Sequence, residues 1–157
     1  ASATTHTWIT IGGNRICYPS DMGTKTGSLE TIKLLLNSTL YTPDAHFTCY
    51  DLANFYLGTP LDCPEYVHIH ISQIPQEFID EYNLTQFALN DWVYFEITKG
   101  VYGLKQASKL ANELLTEHLA QHGYFQSNTT PGLWHHKWRP IIFVLVVDDF
   151  GIQYVGR

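Results

Sequence analysis

The chain has 157 residues, of which 45% are hydrophobic, 14% are aromatic and only 15% are charged. This length suits one domain or part of one, and the composition excludes a disordered chain. No apolar run reaches the ~18 to 20 residues of a membrane span, and the formal net charge of -6 disfavours unaided binding of nucleic acid. We therefore expect an intracellular, cytoplasmic protein that does not contact a membrane.

Turn residues and one helical pattern organise the start of the chain. Gly12-Gly13-Asn14 lies between two short β-like runs and predicts a hairpin. Leucine and isoleucine then recur at helical spacing from Ser28 onward, and Thr42-Pro43 ends this pattern. We predict a hairpin, a loop and one amphipathic helix.

The middle of the chain predicts two strands and a short helix. Residues 46–52 form a β-like run, and residues 65–71 alternate between apolar side chains and a face that carries His68 and His70. Two histidines on one strand could bind a metal, but no third ligand lies close in sequence, so we interpret this face as solvated. Residues 75–82 predict a short helix with proline in its first turn.

The second half predicts two more strands and a longer helix. A strand is predicted over 92–98, and a strongly amphipathic helix over 106–122 ends at Gly123. Residues 141–147 are seven consecutive apolar residues, which is typical of a strand buried on both faces. Four histidines lack the spacing of metal ligands and are interpreted as surface residues: His118, His122, His135 and His136. The irregular order of strands and helices predicts an α+β fold, with an antiparallel sheet and helices on one of its faces.

Two of the predicted strands end in acidic residues. Asp51 ends the strand over 46–52, and Asp148 and Asp149 follow the apolar strand. The pair can be simple turn chemistry, since Asp and Gly are common in turns. Adjacent carboxylates at the edge of a core otherwise need a cation to stay ionised. If the two strands pair, the three carboxylates share one edge of the sheet, where Mg²⁺ ions could support nucleotidyl transfer.

Three sequence blocks resemble the reverse transcriptase of Ty1/copia-type LTR retrotransposons, over a stretch from about Trp8 to the last residue. The blocks are Asp51-Leu-Ala-Asn-Phe-Tyr-Leu-Gly-Thr-Pro60, Val101-Tyr-Gly-Leu-Lys-Gln-Ala107 and Val146-Val-Asp-Asp-Phe-Gly151. The resemblance implies an RNA-directed DNA polymerase, which is a nucleotidyltransferase. It implies one partial domain with an α+β fingers and palm fold: about 1–45 and 62–105 are fingers-like, about 46–61 and 106–157 are palm-like, and the thumb and RNase H regions are absent.

The resemblance also assigns roles to individual residues. It implies that Asp51, Asp148 and Asp149 are the catalytic acids and hold two Mg²⁺ ions, with Mn²⁺ as a possible substitute. Tyr56 matches the aromatic gate that selects deoxynucleotides. Gln106 matches the glutamine that lies along the incoming nucleotide, and Gly103 would let the backbone turn close to it. Without the resemblance, the residues alone favour Tyr56 as a core aromatic and Gln106 as an exposed residue at a helix start.

The chain departs from the family at the triphosphate. Relatives carry a Lys-x-Arg-type pair in the first strand, where this chain has His6 and Trp8, so Arg15 and Lys25 are the nearest replacements. Val146 stands where many reverse transcriptases have tyrosine, which affects primer contact and leaves the acids unchanged.

The resemblance implies partners that belong to a transposable element. These are an RNA or DNA template with its primer, deoxynucleoside triphosphates and the remaining polyprotein segments (thumb, RNase H and integrase), inside a virus-like particle if the element is intact. We expect little activity from this fragment alone. The alternative is a non-catalytic, palm-like structural or interaction module from a degenerate or domesticated element. The missing cations and the acidic balance favour that alternative, whereas the three acids and Gln106 disfavour it.

Overall fold

The computed structural model describes residues 10–13, 16–18 and 23–156, and within them the chain is α+β with antiparallel sheets, as predicted. The α-helices are α1 (Leu29–Tyr41), α2 (Gln76–Glu81) and α3 (Lys105–Gln121). The strands are β1 (Ala45–Asp51), β2 (Pro60–His70), β3 (Trp92–Lys99), β4 (Tyr124–Gln126), β5 (Leu133–His136), β6 (Ile141–Val146) and β7 (Asp149–Val155). Short 3-10 turns lie at Ile71–Gln73 and Leu84–Phe87.

A five-stranded sheet forms the larger layer, with strand order β1-β7-β6-β5-β4. Strands β4 to β7 follow one another as an antiparallel meander, and β1 pairs with the outer edge of β7. The apolar strand β6 lies in the middle, and its residues Phe143, Val144 and Leu145 are buried. The predicted burial of this strand on both faces is therefore confirmed.

Helices cover both faces of this sheet. Leu115 and Leu119 of α3 pack against the core cluster that contains Phe143 and Phe150. On the other face, the segment before α1 packs Gly27 against Val144, and Thr42 at the end of α1 accepts a hydrogen bond from Gln153 Nε2 at 3.4 Å. The expectation that the helices lie on one face is wrong, because β6 is apolar on both faces and both must be shielded from water.

Strands β2 and β3 form a separate antiparallel ribbon. One side of the ribbon belongs to a core cluster in which Val93, Ile79 and Leu84 are buried. A further core cluster joins Tyr56 to Leu104, Ala107 and Ala111 at the start of α3. This cluster ties the chain after β1 to the helix that supports the large sheet.

The predicted helices and most predicted strands are confirmed within a few residues. Ser28 caps α1 by accepting a hydrogen bond from Thr31 N at 3.2 Å, and Gly123 follows α3 with φ +85. The hairpin around Gly12-Gly13-Asn14 is not confirmed, since residues 10–13 and 16–18 contain no strand, and the rest of it lies outside the described residues.

One histidine prediction is wrong. His118 and His122 are exposed as predicted, but His136 is buried on β5. Its Nδ1 accepts hydrogen bonds from Trp138 N at 3.2 Å and Arg139 N at 3.1 Å, so the ring closes the turn after β5. None of the helices in the described part of the chain is long and apolar enough to cross a membrane.

Candidate active site

The three predicted acids lie at the same end of the large sheet. Asp51 on β1 lies directly opposite Asp149 on β7 in the antiparallel register. Directly opposed residues of such a pair have Cα atoms about 4.5 to 5.5 Å apart and project to the same face. Beyond this rung, Leu52 N donates a hydrogen bond to Asp148 O at 3.0 Å, which holds the third acid beside β1. The predicted pairing of the Asp51 strand with the Asp148-Asp149 hairpin is confirmed.

Asp148 belongs to a tight turn that joins β6 to β7. The turn has two central residues, Val147 and Asp148, and Val147 adopts φ +59. A positive φ at the first central position alone, as here where Asp148 does not share it, is the feature of a type II′ hairpin turn, which normally uses glycine there. A β-branched residue in this conformation stores strain of about 1 to 3 kcal/mol. Asp148 and Asp149 can therefore be part of a hairpin turn and of an acidic site at the same time.

A distant threonine holds this turn. The Thr26 hydroxyl accepts a hydrogen bond from Val147 N at 3.1 Å and donates to Leu145 O at 3.4 Å. Gly27 N also donates to Leu145 O, at 2.7 Å. The segment before α1 therefore fixes the backbone that carries Asp148. Sequence reasoning missed Thr26, since nothing in its local sequence marks a contact so far along the chain.

The donor chemistry of the acids suits a hard divalent cation. Asp51 and Asp149 are exposed and Asp148 is half-buried, so the carboxylates are accessible from water. Across the described ranges, no three His, Cys, Asp or Glu side chains are grouped closely enough to hold a metal ion by themselves. Mg²⁺ typically takes one or two protein carboxylates and completes its shell with phosphate oxygens and water. Within the described residues, the acids could therefore hold Mg²⁺ only together with phosphate oxygens and water.

Tyr56 lies between the acids and the start of α3. Its ring is 9% exposed, packs in the cluster with Leu104 and Ala107, and meets Tyr102 edge-on with ring centroids 5.1 Å apart. Burial raises the pKa of Tyr56; a hydrogen bond with Ser108 opposes this, and the negative charge of Asp148 adds to it. The expectation of a core aromatic is confirmed, and the same ring is within electrostatic reach of the acidic turn.

Gln106 is buried, which corrects the reading of an exposed residue at a helix start. Its side chain is 8% exposed, and its Nε2 donates a hydrogen bond to Glu65 Oε1 at 2.7 Å. Glu65 is the functional candidate that sequence reasoning missed. A signal was present, because Glu65 has the same strand parity as the apolar residues Val67 and Ile69 and therefore projects toward the core.

The half-buried side chain of Tyr18 lies close enough to this hydrogen bond to feel the charge of Glu65. The hydroxyl oxygen of Tyr18 is buried and has no hydrogen-bond partner within the described residues. Burial raises the pKa of Tyr18, and the negative charge of Glu65 raises it further. Glu65, Gln106 and Tyr18 thus form a polar group set among the apolar residues at the start of α3.

Of the other predicted nucleotide-binding residues, the structure describes Gly103 and Lys25. Gly103 adopts φ +96, and a Cβ atom there would collide with Ile11 O, so glycine is required. The close backbone neighbour of Gly103 is the 11–13 segment, where Ile11 N donates to Tyr102 O at 2.8 Å. Lys25 is exposed. Arg15, His6 and Trp8 lie outside the described residues.

The fold and site define an α+β protein with acids facing one another at a hairpin of its main sheet. Comparison of the chain with models of protein families, with curated proteins and with solved structures finds no match. The resemblance to reverse transcriptases therefore rests on the three sequence blocks, and assignment to that family stays a prediction.

Proposed function

We propose that this chain is the fingers and palm portion of a Ty1/copia-type reverse transcriptase, an RNA-directed DNA polymerase that acts by two-metal nucleotidyl transfer. The observation that carries the proposal is the register that sets Asp51 opposite Asp149 at the acidic hairpin. Like charges directly opposite one another destabilise a sheet, so a turn with a purely structural role would not be expected to lie opposite a second acidic residue.

The three sequence blocks also come together in space, which supports the proposal. Tyr56 of the first block packs against Ala107 of the middle block and feels the charge of Asp148 in the third. The large sheet is built from residues 45–51 and 124–155, which lie almost wholly in the palm-like parts. The ribbon of β2 and β3 lies almost wholly in the fingers-like part.

In this function each named residue has a distinct task. Asp51, Asp148 and Asp149 would hold Mg²⁺, which when bound activates a primer hydroxyl and neutralises phosphate charge. Tyr56 would wall off the space beside the sugar and so favour deoxynucleotides. Gln106, oriented by Glu65, would lie along the incoming nucleotide. Arg15 and Lys25 are the candidates for contact with the triphosphate.

The partners follow from this chemistry. They are a template with its primer, deoxynucleoside triphosphates and the remaining polyprotein segments, within the cytoplasm or a virus-like particle. Phosphate binding needs Lys and Arg, and this chain has 9 of them against 15 Asp and Glu, which leaves a net charge of -6. Misplacement of reacting groups by about 1 Å can reduce the rate about 10²-fold. We therefore expect little or no DNA synthesis from these 157 residues alone.

Metal-dependent thermal melting tests the proposal directly. Mg²⁺ or Mn²⁺ should raise the melting temperature, because an ion bound only by the folded state adds about 1.4 kcal/mol at ten times its dissociation constant. An Asp51→Asn, Asp148→Asn double variant should lose this response. A Glu113→Gln, Glu117→Gln variant removes the same charge from exposed positions of α3 and should keep it. An equal metal response in all three proteins would refute the proposal.

One observation favours the alternative of a non-catalytic palm-like module. The buried Gln106 amide is already bonded to Glu65, as in a purely structural contact. Such a module would fold with the same register and would show no melting shift with either metal.

A further inference from the structure

One face of the β2–β3 ribbon carries five aromatic or imidazole rings. Because residues on a strand alternate between faces, Tyr66, His68 and His70 of β2 share a face with Trp92 and Tyr94 of β3. The register sets His68 opposite Tyr94 and His70 opposite Trp92. We call these five residues the aromatic face. The other side of the ribbon is buried in the core cluster around Val93.

The rings of the aromatic face are arranged by contact with one another. His68 stacks on Trp92 with ring centroids 4.6 Å apart and on Tyr94 at 5.6 Å, both at an interplanar angle of 28°. His70 meets Trp92 edge-on at 5.2 Å. Tyr66 is fixed by a hydrogen bond from its hydroxyl to Glu96 Oε1 at 3.0 Å. The rings are therefore ordered before any ligand binds.

The same rings remain open to solvent. Tyr66 is 73% exposed, Tyr94 is 60% exposed and Trp92 is 37% exposed. The fold gains little from this exposure, since the core on the opposite side already fixes the ribbon. Exposed aromatic rings on a sheet face are typical of a recognition surface rather than of a solvated strand face.

The chemistry of the rings selects the ligand. All five have a flat face and a polar edge, and the cross-strand pairs of this face contain no aliphatic side chain. A partner protein is usually anchored by side chains in a desolvated, apolar centre. A nucleobase matches the flat faces by stacking and the polar edges by hydrogen bonding.

The face favours single-stranded over duplex nucleic acid. Glu96 lies on the same face as Tyr66, opposite it in the register, and its carboxylate would repel a phosphate. A ligand must therefore bind through bases that are free to stack, with its phosphates directed outward. Only unpaired bases meet this condition, because bases in a duplex are already stacked.

We propose that the aromatic face binds the unpaired bases of single-stranded nucleic acid. The binding stands on ring geometry and does not depend on the acids at the hairpin or on polymerase activity.

Fluorescence anisotropy with the full chain and a labelled thymidine oligonucleotide of about 12 bases tests this binding, at low salt and without divalent metal. Stacking on one ring contributes roughly a factor of ten or more to affinity. Tyr94→Ala and His68→Ala should each weaken binding about tenfold or more, whereas Tyr94→Phe, which keeps the ring, should retain it. Tyr41→Ala removes a ring that is 83% exposed at the end of α1 and serves as the matched control.

Competition separates stacking from general attraction. A duplex, or an abasic oligonucleotide of equal charge, should compete at least tenfold less well than the unlabelled thymidine strand. The proposal is overturned by no measurable binding, by equal weakening in Tyr41→Ala, by Tyr94→Phe binding as weakly as Tyr94→Ala, or by effective competition from the abasic strand. In the Asp51→Asn, Asp148→Asn background, Tyr94→Ala should still weaken binding about tenfold or more, so failure of the polymerase proposal leaves this result intact.

Discussion

The hydroxyl of Thr26 is the best point at which to test how the acidic hairpin is held. Thr26→Val keeps the shape of the side chain and removes both the acceptor for Val147 N and the donor to Leu145 O. Both Thr26 and Val147 are exposed, so water can replace the lost partner of Val147 N. Leu145 O keeps its hydrogen bond from Gly27 N. The full penalty for a buried unsatisfied group therefore does not apply.

The expected loss is that of ordinary hydrogen bonds, about 1 kcal/mol. For a chain of this size, a loss of about 1 kcal/mol lowers the melting temperature by roughly 2 to 4 °C. Val147→Gly tests whether the backbone of Val147 is strained, because glycine adopts a positive φ without a steric penalty. Relief of about 1 to 3 kcal/mol of strain, set against about 0.4 to 1 kcal/mol of added unfolded-state entropy, predicts a stability equal to or above the wild type.

Thermal melting of the two single variants measures the lost hydrogen bonds and the relieved strain, with Thr98→Val at an exposed position of β3 as the control. A Thr26→Val protein that melts with the control would show that the hydroxyl does not hold the turn. A Val147→Gly protein destabilised by more than about 1 kcal/mol would show that the turn is not strained.

Three further predictions concern the hydrogen bond between Gln106 and Glu65, the raised pKa of Tyr56, and Tyr56 as the gate. Glu65→Ala should cost about 1.5 to 3 kcal/mol in urea unfolding, because it leaves the buried Gln106 amide without its charged partner, whereas Glu113→Ala on the exposed side of α3 should cost far less. A raised tyrosine pKa gives stability that is present below the unfolded pKa of about 10 and is lost as pH rises through the folded pKa. The Tyr56→Phe protein lacks this ionisation, so it should lose less stability than the wild type between about pH 9 and 11. Parallel curves of stability against pH would contradict this. In a longer, active polymerase that contains this segment, Tyr56→Ala should admit ribonucleotides and keep deoxynucleotide use, and unchanged discrimination would leave Tyr56 a packed aromatic only.

Local chemistry explains which elements the sequence could predict. The cap at Ser28, the leucine spacing of α3 and the apolar run of β6 are each encoded within a few neighbouring residues. The positions of Asp51 and Asp148-Asp149 at strand ends follow from the apolar and β-like residues that precede them. The acids come together because the two strands that carry them are neighbours in the sheet.

The features that escaped prediction depend on distant partners. Strands β4 and β5 have three and four residues and exist because they extend the sheet from β6. His136 is buried because two backbone N–H groups of the following turn bond to it. The bond from Gln106 to Glu65 joins the start of a helix to a strand 41 residues earlier. The apolar residues on both sides of β6 indicate that both faces of the sheet are buried. The expectation that all helices pack on one face is inconsistent with that pattern.

The charge of the chain and the two proposed sites lead to one consistent picture of nucleic-acid binding. A net charge of -6 leaves little surface for phosphates, and Asp51, Asp148 and Asp149 would repel them at the hairpin unless Mg²⁺ is present. Affinity that comes from neutralised phosphates falls steeply with salt, in proportion to the number of contacts. Stacking on the aromatic face involves no released counterions and changes much less with ionic strength. Single strands should therefore bind this chain with a shallow dependence on salt, in contrast to a protein that grips nucleic acid through Lys and Arg.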